Sequence, residues 1–228
     1  VLTPGPNMPD GATVLRLLGH AGCTIENIDI AYRRGVGIES WGALRTLRHV
    51  SIATPAGRPE IAGYPALVMG NGYWFTLDHV NAARYPKENF PSLPGYPDNA
   101  LVILGSDPSK PNPDYTGMVE WRNSICIGGT ILIGSMDPTH AYGTHGIRLS
   151  NIITEYDGSG AGEDFATTRG YVQDLTLDRC AAADSHGVVG ILGKHEAVVA
   201  AIEDPAALAA LGGGVRACDV VEVGGDGE

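Results

Sequence analysis

One short pattern recurs six times along this chain, and its spacing constrains the fold more than any other feature. The copies are Ile25-Glu26-Asn27-Ile28-Asp29-Ile30, Leu47-Arg48-His49-Val50-Ser51-Ile52, Leu77-Asp78-His79-Val80-Asn81-Ala82, Trp121-Arg122-Asn123-Ser124-Ile125-Cys126, Leu149-Ser150-Asn151-Ile152-Ile153-Thr154 and Leu177-Asp178-Arg179-Cys180-Ala181-Ala182. Each opens on a large apolar residue, continues with a polar one, and places Asn, His or Arg third. The fourth residue is apolar or small. The starts are separated by 22, 30, 44, 28 and 28 residues. An imperfect period of that size on strand-like segments predicts a solenoid whose coils stack on one continuous core.

The third residue interrupts an alternating strand, so it reads as a bend between two short strands. Asn and His adopt left-handed backbone angles more readily than most residues. Stacked coils would set Asn27, His49, His79, Asn123, Asn151 and Arg179 above one another, about 4.8 Å apart. Ile28, Val50, Val80 and Ile152 would then form an inward row continued by Cys180. A further strand precedes most repeats, as in Ala100-Leu101-Val102-Ile103-Leu104 and Thr130-Ile131-Leu132-Ile133. Further copies fall at 13–18, 35–38, 66–69 and 188–192, with 165–169 as the weakest match.

With these strands and bends in place, the chain resembles the right-handed parallel β-helix proteins, a superfamily that includes pectate lyases and phage tailspikes. The resemblance covers roughly residues 12–193. It implies an all-β, right-handed parallel β-helix of about six to seven coils over residues 1–193. Residues 194–228 read as a C-terminal cap, with short helices at 195–202 and from 203 to the glycines at 212–214. Asp204 and Pro205 suit the start of that second helix. A last strand is expected within 215–223. A leucine-rich repeat would need a regular LxxLxLxxN unit, which the sequence lacks.

Composition narrows the function classes. A net charge of -11 disfavours nucleic acid, which is held by neutralising phosphates with Lys and Arg. No run of 18 apolar residues is present, so no helical membrane insertion is expected. The opening Val1-Leu2-Thr3-Pro4-Gly5-Pro6 has neither a starting Met nor a secretory leader, and reads as the interior of a longer or processed chain. Cys23, Cys126, Cys180 and Cys218 form no zinc spacing. The first three fall at inward positions and read as small packing residues.

Charges on the outer face alternate in sign along Glu26, Arg48, Asp78 and Arg122, which predicts a cross-strand ladder. Glu120 and Arg148 are expected to pair in the same way. A cationic neighbour lowers a carboxyl pKa, so Glu26 and Asp78 are set aside as general acids. His49 and His79 read as bend residues. The strands around 100–104 and 130–133 are apolar on both faces, so their outward side chains require cover. The loops 54–64 and 85–98 are long enough to supply it. A neighbouring subunit is the other source, and exposed apolar faces of this kind mark interfaces.

Candidate chemistry lies in the loops. Asp107, Asp114, Asp137 and His140 fall in equivalent turns on successive coils. Carboxylates about 5–10 Å apart can hydrolyse glycosides. A His or Tyr beside a neutralised acid could instead support β-elimination. Asp107, Asp137 and His140 are therefore the catalytic candidates, against the plainer reading of Asp-Pro as a turn starter. Tyr85, Tyr96, Asp114 and Tyr142 are the substrate-binding candidates, the tyrosines as stacking platforms for sugar rings. Glu155, Asp157, Glu163 and Asp164 on a Gly-rich loop could hold Ca²⁺, although the spacing matches no EF-hand. No cofactor is required by any of these readings.

The resemblance implies a polysaccharide ligand, bound and in some members cleaved, and an extracellular or virion-surface location. It also implies a homo-oligomer, a trimer as in tailspikes. The competing expectations are a structural spike with no sugar site and a pectate-lyase-like polysaccharide lyase.

Overall fold

A computed structural model of the chain describes residues 1–9, 11–19, 21–54, 64–84, 100–107, 109–110, 115–135, 143–155, 164–183, 187–192, 198–201 and 215–216. Within them the regular structure is entirely strand. The strands are β1 Leu15–Leu18, β2 Cys23–Ala31, β3 Ile38–Trp41, β4 Arg45–Ala53, β5 Leu67–Gly70, β6 Gly72–Ala83, β7 Ala100–Leu104 and β8 Thr116–Ile127. They continue with β9 Thr130–Gly134, β10 Thr144–Glu155, β11 Asp164–Arg169, β12 Val172–Asp178, β13 Ala181–Ala183, β14 Gly187–Leu192, β15 Val198–Ala201 and β16 Val215–Arg216.

Two parallel sheets share these strands. The first runs β1-β3-β5-β7-β9-β11-β14, and the second runs β15-β12-β10-β8-β6-β4-β2. Apart from β13 and β16, which flank the second sheet, successive strands alternate between the two sheets, so the chain winds between them as a parallel β-solenoid. All six recurring segments lie in the second sheet, on β2, β4, β6, β8, β10 and the β12–β13 pair. The six further strands anticipated before or after them fall on β1, β5, β7, β9, β11 and β14, while the copy placed at 35–38 begins later, as β3.

Every predicted bend residue is left-handed, with φ of 57° at Asn27, 50° at His49, 55° at His79, 56° at Asn123, 53° at Asn151 and 51° at Arg179. The bends stack. The His49 and His79 rings lie 4.8 Å apart, and Asn151 Nδ2 donates to Asn123 Oδ1 at 2.9 Å. Ile28 pairs in register with Val50, and Val50 with Val80. The next place in this row belongs to Ser124, which pairs with Ile152. Its Oγ accepts from the Val80 amide at 3.0 Å and Trp121 Nε1 at 2.8 Å, and donates to the Arg122 carbonyl at 2.9 Å. A buried hydroxyl with all three bonds made costs little. Cys126 and Cys180 are buried thiols, and Cys180 Sγ lies 3.5 Å from the Leu149 carbonyl. Burial pushes the Cys126 thiol up, which suits a packing role.

The outward face of the first sheet is covered within one chain. Val68, Ile103 and Leu132 form a second buried cluster with Val36, Trp41 and Ala100, and Tyr64 packs against it. These side chains therefore give no reason to invoke a second subunit. At the edge of this cluster Glu39 is buried and accepts from Thr13 Oγ1 at 2.7 Å, Arg16 Nε at 2.8 Å and Trp41 Nε1 at 2.7 Å. Lys110 Nζ lies 3.1 Å away.

The C-terminal expectation needs correction. Val198–Ala201 was expected within a helix, but it is β15 and pairs with β12 from Leu175↔Val198 to Asp178↔Ala201. Local Ala and Glu content favours helix, but the unpaired edge of β12 offers backbone partners that outweigh propensity. The last strand appears as β16, antiparallel to β13. The remainder of the proposed cap, including the helix from 203, lies outside the described residues.

Candidate functional site

A second column of left-handed residues runs beside the first, five positions earlier in every coil but the first. It comprises Leu44, Trp74, Met118, Gly146 and Asp174, with φ between 52° and 63°. Left-handed backbone costs a side-chain-bearing residue about 1–2 kcal/mol, and Gly or Asn adopts it most easily. Leu, Trp and Met are poor choices for such a bend. They are also held outward, with Trp74 57%, Met118 51% and Leu44 46% exposed. Strained positions of this kind concentrate where function requires a particular side chain.

Trp74 and Met118 line a shallow groove of about 600 Å³ on the outside of the second sheet. Thr76, Glu120, Arg148 and Thr176 supply polar groups, and Asp174 continues the rim. Arg148 stands opposite Glu120 in register. The expected ion pair does not form between them among the described residues, so both remain available to a ligand. The neighbouring row forms two of the three expected rungs, and Arg48 and Asp78, though in register, do not pair among the described residues. Arg48 Nη1 meets Glu26 Oε1 at 3.2 Å, and Arg122 Nη2 meets Asp78 Oδ2 at 3.0 Å. Burial alone would raise the Asp78 carboxyl. Hydrogen bonds from Asn123, Arg122 and His79, with the Arg122 charge, outweigh it and hold the group at about 2. Asp78 is thus a fixed anion, as its neighbours implied.

An aromatic stack extends from the Trp74 rim. Trp74 meets Tyr73 edge-on at 4.7 Å, Tyr73 stacks on Tyr115 at 5.6 Å, and Tyr115 meets His145 at 5.2 Å. Gly117 stands between Tyr73 and His145 in the strand register. A Cβ there would come within 2.6 Å of the His145 ring. Glycine thus clears the space His145 occupies, and Tyr115 bridges the rings on either side. The assembly presents flat apolar faces beside hydrogen-bonding groups, the combination that an amphipathic ring-shaped ligand requires.

Of the residues proposed from sequence, Asp107 is described and lies in a tight turn. Its Oδ1 accepts from the Ser109 amide at 2.8 Å and the Ser109 hydroxyl at 2.7 Å. Its main chain is clamped by Asn71, which donates to its carbonyl and accepts from its amide, both at 2.9 Å. Glu155 ends β10 and Asp164 begins β11. Asp114, Asp137, His140, Tyr85, Tyr96, Tyr142, Asp157 and Glu163 lie outside the described residues. Among the described residues, no three His, Cys, Asp or Glu side chains gather as a metal site.

The groove residues were legible in principle. Leu44, Trp74, Met118, Gly146 and Asp174 repeat with the intervals of the bend column. A row mixing Gly and Asp with Trp and Met is an outward bend carrying unexpected apolar bulk. Compared with protein-family models, with curated proteins and with solved structures, the chain finds no match.

Proposed function

We propose that this chain binds a polysaccharide laid against the outer face of its second sheet, with Trp74 and Met118 as apolar contacts and Glu120 and Arg148 as polar ones. The observation that carries the proposal is the pair of bulky, half-exposed side chains held at left-handed positions on the rim of a groove. Pyranose rings have an apolar C–H face and hydroxyl edges, which suit an indole beside unpaired polar groups. The Tyr73–Tyr115–His145 stack supports Trp74 from the side and extends the platform across coils.

Within this proposal the winding is a right-handed β-helix, the hand that parallel crossover connections favour. The tailspike-like context, an extracellular or virion-surface location and a trimer rest on the sequence resemblance. A cleavage step would add to binding, with Asp107, Asp137 and His140 as its sequence-derived candidates and Ca²⁺ as an optional ion at the acidic loop. A structural spike without a sugar site is the competing reading, favoured by the closed hydrogen bonding around Asp107.

A glycan array probed with the intact protein tests the proposal. Retention of at least one polysaccharide is expected, and Trp74→Ala should weaken it by about 2 kcal/mol, roughly thirtyfold. No retained glycan, or equal retention by the variant, would favour the structural spike.

A further inference from the structure

The bend column holds asparagine at three coils and histidine at two consecutive ones. His49 and His79 face each other across β4 and β6, between the register pairs Arg48↔Asp78 and Val50↔Val80. Their rings are stacked at 4.8 Å with 29° between planes. The His79 side chain is 50% exposed, and His49 is exposed as well. Both imidazoles are therefore reachable from solvent.

The surroundings of His79 are specific. Its Nδ1 lies 2.8 Å from Asp78 Oδ1. Asp78 is held in turn by Asn123 Nδ2 at 3.0 Å and Arg122 Nη2 at 3.0 Å. A carboxylate only accepts hydrogen bonds, so Nδ1 carries a proton and Nε2 is the nitrogen left to bind a metal ion once it is unprotonated. A carboxylate on the far nitrogen is the arrangement that orients metal-binding imidazoles and raises their basicity. The nearby cations are engaged elsewhere, Arg48 with Glu26 and Arg122 with Asp78.

We propose that His49 and His79 form a two-imidazole site for a borderline transition-metal ion, Zn²⁺ or Cu²⁺, with Asp78 as the positioning residue behind His79. Nitrogen–metal bonds of about 2.0–2.1 Å require the two ligand atoms to lie closer than the present ring separation. Small rotations of two exposed side chains supply that approach. Two protein ligands leave positions open for water, so the ion exchanges readily. Ca²⁺ and Mg²⁺, which take oxygen ligands, are excluded by the donor set. The site is independent of the groove and of the polysaccharide reading.

The other coils identify a mild substitution, because asparagine already occupies this bend at Asn27, Asn123 and Asn151. His49→Asn and His79→Asn should keep the fold, which circular dichroism verifies. Calorimetric titration of the chelator-treated chain with ZnCl₂ or CuSO₄ should show one site, tighter for Cu²⁺. Either variant should weaken it at least ~tenfold, and Asp78→Asn about ten- to hundredfold. Cys23→Ser should leave it unchanged. The Cu²⁺ electron paramagnetic resonance spectrum should show two coordinated nitrogens. Absence of binding by both ions, affinity unchanged in the double Asn variant, or a single coordinated nitrogen would overturn the proposal.

Discussion

The two sheets of this solenoid are wound from the same coils yet face different surroundings. In the first, β3, β5, β7 and β9 are buried at every residue. In the second, β6, β8 and β10 keep buried residues facing inward and expose polar or half-polar rows outward. A sheet covered on both sides accepts apolar residues throughout, whereas one facing water alternates. Among the described residues the first sheet's outward face is therefore covered, and the outer face of the second sheet is open to a ligand. There the interruptions of alternation, Trp74 and Met118, stand out because the rows around them are regular.

Each sheet also holds a carboxylate at about 2, by different means. Glu39 is sealed beneath the first sheet's cover. Its burial alone would raise it, but hydrogen bonds from Trp41, Thr13 and Lys110 and the Lys110 charge prevail. Asp78 reaches the same value half-buried at the surface, through Asn123, Arg122 and His79. Burial and surface pairing thus converge on one titration behaviour but should diverge with salt.

The strongest way to break the comparison is to place a charge outward on each sheet. Ile103→Asp puts an unpaired carboxylate in a fully buried site and should destabilise by several kcal/mol or prevent folding. Ile125→Asp, at a position 44% exposed on the second sheet, should change stability by no more than about 0.5 kcal/mol. Thermal melts decide the matter, and similar losses would mean that the second sheet is covered too.

A smaller effect is expected from acid. The folded Glu39 carboxyl sits below its ordinary value of 4.5, so the unfolded state binds the proton more readily. Its stabilisation is complete above the unfolded value and is lost as pH falls through that value toward about 2. Roughly 3 kcal/mol is at stake. Urea midpoints for wild type and Glu39→Gln should converge as pH drops from about 6 to about 3. Added salt should barely alter the Glu39 difference but should reduce the corresponding one for Asp78→Asn.

The smallest expected effect sharpens the functional side. Met118→Asn relieves a left-handed methionine and should raise stability by about 0.5–1 kcal/mol. The same change should lower polysaccharide affinity. A variant that gains stability with undiminished binding would mean that Met118 takes no part in the site.

What the sequence determined by itself was the frame. Six polar residues breaking an alternating pattern identify the bends, because few side chains tolerate a left-handed backbone. The inward row from Ile28 to Ile152 follows from strand alternation, as does the need to cover Ile103 and Leu132. The Glu26–Arg48 and Asp78–Arg122 pairs were also legible, since stacked coils bring equivalent positions together. Only the tertiary structure decided the rest. Tyr73, Tyr115 and His145 meet because Gly117 leaves room between strands 28 to 44 residues apart in the chain. Val198–Ala201 became a strand because an open sheet edge outweighs local helix propensity. Glu120 and Arg148 stand in register without pairing, since register sets which backbones adjoin while side-chain conformation sets which charges touch. The aromatic stack beside the groove and the unpaired Glu120 and Arg148 within it depend on such longer-range choices, which no local pattern encodes.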